Sequence, residues 1–456
     1  LIPIAPLFHH RVLQEHRAKF AFPIDLTDRY HQFLPLLEEF RQTTETLVYL
    51  QLIHSLFCGV LGYISPFEGT ELWEIDLTDR IYLGYFTPQG SQPKIQIVTG
   101  LEPFKINFDQ GMDWLIVIDL DRISLYYKDY GNLFSQSFSF NDCRNREELE
   151  LFYSIFCRRN LLGNIAQPSS TRAEQLLEMT KSIEGKLGRD FYNYVFSLKQ
   201  KLQRDISYRL HHLSINEEGL DDRLTKLIIY RLVLIQGLTD RGLLPSNLLQ
   251  DAYNFVNPYV IQPVWVNFRA VFRWLKQGNP QQGIPPLDIE FVKTNDILDR
   301  VIHIGDELCR QMKEIAQFNL KDDIYPVFLS FLLINLLAQK KINFKRWRSH
   351  KLIQQAISTW NYLAENFTTE PIGYFDPECG MGLRLLVVFR FLQTFAHLMT
   401  FPETPTDGRL ITLIQGNDPD EQKIPIVKLM FYLSANVKIE LGMNDKPSSS
   451  VRYIGE

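Results

Sequence analysis

The sequence predicts an α/β multidomain chain: a small α/β region at the front, a helical connector, and the opening of a second α/β unit. Three observations predict it. Short aromatic and β-branched runs are confined to residues 72–140, helical periodicity dominates residues 146–363, and near residue 372 a strand-like segment, a glycine turn and an apolar helix succeed one another. A chain of 456 residues also exceeds one ordinary core and scales to roughly two to four domains.

The first region, 1–145, opens on an amphipathic helical entry. Phe33, Leu36, Leu37 and Phe40, then Leu47, Leu50, Ile53, Leu56 and Phe57, fall at helical spacing, with Glu38, Glu39 and Arg41 on the other face. Strands of one sheet follow at 81–86 (IYLGYF), 94–99 (KIQIVT), 114–119 (WLIVID) and 122–127 (RISLYY), separated by turn residues such as Gly90, Gly100, Gly111 and Gly131. The connector, 146–295, repeats apolar residues three and four apart and ends at a loop, 277–287, in which five of eleven residues are Gly or Pro. The last region, 296–456, continues helical to Leu363 and then turns to strand, turn and helix from Ile372 to Leu398.

Composition narrows the classes. Hydrophobic residues at 45% and charged residues at 22% describe a globular chain, and a net charge of −5 means that any nucleic-acid contact must come from a local basic patch. The five cysteines form no CxxC pair and have no histidine at zinc spacing, so no disulfide framework or metal site is expected. Leu1 to Phe8 holds two prolines and precedes His9, His10 and Arg11, an order unlike a signal peptide, which points to a cytoplasmic protein. The longest apolar run, Ile324 to Ala338, falls short of the ~20 residues a bilayer requires and reads as a buried helix, with no membrane partner. The chain begins with Leu and stops soon after Pro447-Ser448-Ser449-Ser450, as a piece of a longer protein would.

Chemistry concentrates at Tyr374-Phe375-Asp376-Pro377-Glu378-Cys379-Gly380-Met381-Gly382. Two glycines let backbone approach a ligand, and a helix starting at Leu383 directs free N–H groups toward a cofactor's carboxylate. Beyond that helix, Leu413 to Asp420 offers a second short strand ending in acids, and Asp418 stands where a carboxylate accepts from ribose hydroxyls in a Rossmann-like sheet. A lone Gly-x-Gly turn also arises by chance between strand and helix. Here the string DPECGMG resembles the Asp-Pro-x-Cys-Gly-Ser-Gly motif of amino-group DNA methyltransferases, departing from it at Met381. The resemblance implies an S-adenosylmethionine pocket lined by Asp376, Pro377, Gly380 and Gly382, with Asp418 beyond. That family's catalytic Asn-Pro-Pro-Tyr or Asn-Pro-Pro-Phe turn does not occur in these residues; the nearest string, Asn257-Pro258-Tyr259, lacks the second proline and precedes the cofactor motif.

Two further resemblances point the same way. Leu227 to Pro245, with Arg231 and then Asp240-Arg241-Gly242-Leu243-Leu244-Pro245, is similar to a helix end found upstream of the methyltransferase region in type IIG restriction-modification proteins. Physically, Gly242 can take the left-handed cap and Pro245 stops the helix, which a plain core helix would also do. The sheet region resembles the PD-(D/E)xK-like nuclease domain of those enzymes, with residues 114–129 as its closing hairpin. Glu39 and Asp76 could supply acids, yet Gln96-Ile97-Val98-Thr99 stands where Glu-x-Lys belongs, so a decayed nuclease without Mg2+ is expected.

A basic cluster of Lys340, Lys341, Lys345, Arg346, Arg348 and Lys351, interrupted by Phe344 and Trp347, suits a phosphate backbone and an unstacked base; a solvated helix face has the same composition. Together the resemblances imply a DNA restriction-modification or defence protein with an adenine methyltransferase-like core, acting on DNA and alongside other defence-system subunits. The alternative is a catalytically inactive scaffold or DNA-recognition subunit of a defence complex.

Overall fold

Aromatic and β-branched runs near the front become a single mixed sheet of seven strands: β1 (Ala5–Pro6), β2 (Glu71–Ile75), β3 (Ile81–Thr87), β4 (Gly90–Thr99), β5 (Trp114–Ile118), β6 (Arg122–Tyr127) and β7 (Phe134–Ser139). Their spatial order is β1-β7-β6-β5-β4-β3-β2. Strands β2, β3 and β4 form an antiparallel meander, β5 lies parallel to β4, and β5, β6 and β7 return antiparallel. The expected hairpin at 114–127 is the β5-β6 pair, with Ile118 opposite Ile123. Four of the five β5 residues are buried, so the middle of the sheet is covered on both faces.

The computed structural model describes residues 4–42, 51–63, 71–75, 81–87, 90–99, 111–118, 121–162, 171–287, 289–337, 342–349, 351–365, 374–376, 382–395, 414–416 and 423–435. Two compact units result, Leu1–Ile183 with Arg348–Phe367, and Glu184–Trp347 with Thr368–Glu456.

In the first unit, α1 (His10–Lys19), α2 (Leu26–Gln42), α3 (Arg146–Phe156) and the one-turn α4 (Arg158–Leu161) accompany the sheet. Helix α3 is capped by Asn145, whose side chain accepts from Glu147 N at 2.9 Å, and Glu147 and Glu148 suit the positive end of its dipole. Packing of α1 on α3 is fastened by His16 Nε2 against Ser154 O at 3.1 Å. Tyr30 of α2 donates to Phe140 O, just past β7.

Helix α5 (Arg172–His212) begins with a capping box: Glu174 N donates to Thr171 Oγ1 and Thr171 N donates back to Glu174 Oε2. Its 41 residues run through the division between the units. Periodicity and the Gly/Pro-rich loop set the expected regions 1–145, 146–295 and 296–456; the two compact units part within this continuous helix, and residues 348–367 belong to the first unit.

The second unit holds α6 (Leu220–Thr239), α7 (Leu248–Asn254), α8 (Val264–Gln277), α9 (Asp306–Lys313) and α10 (Pro326–Leu337). After α11 (Lys351–Glu365), which belongs to the first unit, the chain forms β8 (Tyr374–Asp376), α12 (Leu383–Phe395), β9 (Ile414–Gly416) and α13 (Ile424–Ala435). Within the expected apolar run 324–338 lies the buried α10, which packs on α13, and α13 packs in turn on α6. Arg231 of α6 is buried, pairs with Asp299 at 2.8 Å and donates to Phe291 O and Lys293 O, so its charge is fully engaged. Among the described residues no helix is long and apolar enough to cross a membrane.

Candidate functional site

Strands β8 and β9 are parallel, with Tyr374 opposite Ile414, Phe375 opposite Gln415 and Asp376 opposite Gly416. Two neighbouring parallel strands need a crossover, and α12 lies between them in sequence and packs on both. The carboxyl edge of this βαβ unit is therefore marked by Asp376 and Gly416, the edge at which open α/β sheets receive ligands. Asp418, the expected ribose acceptor, lies outside the described residues, two positions beyond the end of β9. Pro377 and Gly380 also lie outside them.

Asp376 is 0% exposed. Arg384, on the first turn of α12, donates from Nη2 to Asp376 Oδ1 at 2.6 Å, and its side chain is 30% exposed. Gly382 precedes the helix with φ +75°, and Leu386 N to Gly382 O, 2.9 Å, closes the first helical turn. The N–H groups of such a first turn have no intrahelical acceptor. A buried carboxylate beside a helix N-terminus matches a zwitterionic amino-acid head: the acid suits its ammonium and the N–H groups suit its carboxylate. That donor set fits the methionine end of S-adenosylmethionine.

One expectation changes. The missing side chain of Gly382 does not leave room for a ligand: a Cβ there would stand 2.4 Å from Val427 Cγ1 and 3.0 Å from Met430 Cε. The room is filled by α13. Gly237 of α6 serves the same helix, since a Cβ there would meet Leu433 Cδ2 at 2.8 Å.

The Asp240-Arg241-Gly242 string ends α6 as expected: Gly242 takes φ +71°, and Leu243 N reaches back to Leu238 O at 3.0 Å. Its two charged side chains do more than stop a helix. Arg241 donates to Gly237 O, Leu320 O and, from Nε, Leu433 O, while Asp240 accepts from Leu320 N and from Gln236 Nε2. Burial pushes the Asp240 carboxyl above its usual range, opposed by the Leu320 N–H. These contacts hold α13 and thereby the seat behind Gly382. An acid and an arginine spent on contacts within the fold have no periodicity by which sequence reading could find them.

The basic cluster divides. Trp347 is 1% exposed, donates from Nε1 to Glu184 Oε2 at 2.8 Å and stacks on Phe328 with ring centres 4.8 Å apart. Arg348, equally buried, donates to Leu7 O and Pro6 O at 2.8 and 3.0 Å, with its guanidinium 4.6 Å over the Phe134 ring. Both were expected to face DNA; both are core groups whose polar atoms are engaged inside the protein. Lys351 is exposed, whereas the side chains of Lys345 and Arg346, in the turn Phe344–Ser349, lie outside the described residues.

At the expected nuclease position, Gln96 is buried on β4 between Ile95 and Ile97, opposite Tyr82 of β3 and Leu115 of β5. Glu39 lies on α2 with its side chain outside the described residues, and Asp76 is outside them. Asn257 turns its side-chain oxygen on its own backbone, accepting from Tyr259 N and Val260 N, so it forms an Asx turn instead of presenting an acceptor to a base.

No family model matches the chain, and no curated protein does. Among solved structures it is similar to the crystal structure of the type IIG restriction endonuclease BpuSI, at 12% identity and a TM-score of 0.25, over 82% of this chain and 40% of that one. It is also similar to the electron cryomicroscopy structure of a DrdV–DNA complex, at 12% identity and a TM-score of 0.27, over 92% of this chain and 40% of the other. The chain thus spans about two fifths of the length of these structures.

Proposed function

We propose that this chain is the nuclease-like, helical and cofactor-proximal part of a DNA restriction-modification protein, built around an S-adenosylmethionine site at the carboxyl edge of β8 and β9. The observation that carries the reading is the parallel β8-α12-β9 unit, with a buried acid at the end of its first strand and a left-handed glycine before its helix. The DPECGMG string supplies the chemical class, because the same strand end and helix start hold the motif whose resemblance is to adenine methyltransferases. When bound, S-adenosylmethionine would supply an electrophilic methyl group. Asp376, the first turn of α12 and Asp418 would hold its amino-acid and ribose ends. DNA is the proposed partner, with Lys351 as an exposed cation from the basic cluster.

The test is calorimetric titration of the purified chain with S-adenosylmethionine and with S-adenosylhomocysteine. Saturable binding, weakened about tenfold or more in Asp418→Ala through loss of charged hydrogen bonds to ribose, is the expected result. Absence of binding removes the cofactor reading.

The second reading, a catalytically silent scaffold or DNA-recognition subunit, is favoured by the neutral, buried Gln96 on β4. A metal-dependent nuclease needs carboxylates at its centre, and Gln96-Ile97-Val98 brings none. Incubation with DNA and Mg2+ or Mn2+ tests that half directly. Cleavage lost in Asp76→Ala would show a working nuclease.

A further inference from the structure

Asp376 carries the positive end of any amino-acid ligand in the reading above, yet its carboxylate already has a cation. Arg384 is tethered eight residues away on the first turn of α12 and reaches Asp376 Oδ1 at 2.6 Å. The acid is 0% exposed while the arginine side chain is 30% exposed. The guanidinium is thus the group on the solvent side of the pair, and the carboxylate is the fixed partner within the sheet edge. An arriving ammonium finds the negative charge neutralised by a group whose effective concentration is high because it is tied to the same unit.

From this juxtaposition we infer that Arg384 is a built-in counterion that competes with the ammonium of the cofactor for Asp376, so that tight binding requires Arg384 to leave the pair. The inference rests on the S-adenosylmethionine reading and concerns the affinity and selectivity of that site. In the resident pair, the ammonium of a ligand adds no binding energy, because each new contact to Asp376 replaces one of equal charge. The adenosine end, held elsewhere, is untouched. Arg384 is a specificity-determining residue here, acting through Asp376, and its cation also stands at the positive end of a helix, where it gains nothing from the dipole. Its bond to Asp376 opposes that cost.

The experiment compares two ligands on the full chain by calorimetry: S-adenosylhomocysteine, and the analogue that lacks only the α-amino group. Wild type is expected to bind both within about threefold of each other. Arg384→Met, which removes the Arg384 cation from Asp376, is expected to favour the amino-bearing ligand by about tenfold or more, the equivalent of one charged hydrogen bond. Arg384→Lys, which keeps a cation within the first turn, is expected to behave like wild type. The wild-type comparison stands by itself should Arg384→Met fold poorly.

A wild-type protein that already prefers the amino-bearing ligand tenfold, unchanged in Arg384→Met, overturns the counterion role and leaves the cofactor reading intact. Weaker binding of both ligands by Arg384→Met also overturns it, since Arg384 would then be part of the pocket. If neither ligand binds any variant, the cofactor reading itself fails and the inference with it.

Discussion

Arg241 Nε donates to the main-chain oxygen of Leu433 at 2.9 Å, joining the end of α6 to the last turn of α13 across 192 positions of sequence. The same guanidinium also serves Gly237 O and Leu320 O, so one side chain satisfies acceptors from three segments. Helix α13 is the element against which Gly382 is packed, so the start of α12 is held from behind.

Arg241→Ala should lower unfolding stability by about 2 to 3 kcal/mol, because half-buried carbonyls lose their donor. Arg241→Lys should recover less than half, as an ammonium lacks the planar fork that spans several acceptors. Urea denaturation measures the loss, and hydrogen exchange localises it; faster exchange confined to α5 or α3 would contradict the assignment.

Gly382→Ala meets two obstacles, a φ of +75° and a Val427 methyl 2.4 Å from the new carbon. The expected loss is about 2 to 4 kcal/mol. Adding Val427→Ala should return the steric part and leave about 1 kcal/mol of backbone strain. A double variant no more stable than Gly382→Ala would mean that the helix contact is not the limiting one.

For the basic cluster, stability and DNA affinity should separate. Arg348→Ala removes the donor to Leu7 O and Pro6 O and should cost about 3 kcal/mol. Trp347→Phe, which deprives Glu184 of a donor, should lower the melting temperature while leaving the salt dependence of DNA binding unchanged. Lys351→Glu should do the reverse, weakening binding with little effect on melting. Filter binding at several salt concentrations distinguishes the three.

Burial holds the His16 ring below the ordinary histidine pKa, against the pull of its bond to Ser154 O. The folded chain therefore takes up the His16 proton at lower pH than the unfolded chain, whose histidine titrates near about pH 6.5. Its stabilisation is complete above that pH and declines as pH falls from there toward the folded value. His16→Gln should reduce the drop in unfolding free energy as pH falls below about 6.5. Equal drops in both proteins would assign the acid sensitivity to other groups.

Much of the local structure could be read from residue order. The aromatic and β-branched runs at 81–86 and 114–127 became strands, the three-and-four spacing after Arg146 became helices, and the segment after Ile372 yielded the strand β8 and the helix α12. These features are set by neighbours within a few positions, through side-chain alternation and the freedom of glycine. The order of seven strands was not legible, because pairing β4 with β5 in parallel is settled by what packs over both faces and not by either strand alone.

For the site, residue order by itself supplied the proposed chemical class: an acid, a pair of glycines and a helix start in a pattern akin to a known cofactor motif. Tertiary structure decided which of those residues are available. It placed Arg348 and Trp347 in the core, gave the room beside Gly382 to Val427, and set Arg384 on Asp376. The physical reason is that a charged or aromatic side chain has the same identity on a surface and in an interior, and only the partners brought to it by distant segments settle whether its hydrogen bonds and charge are spent within the fold or left for a ligand.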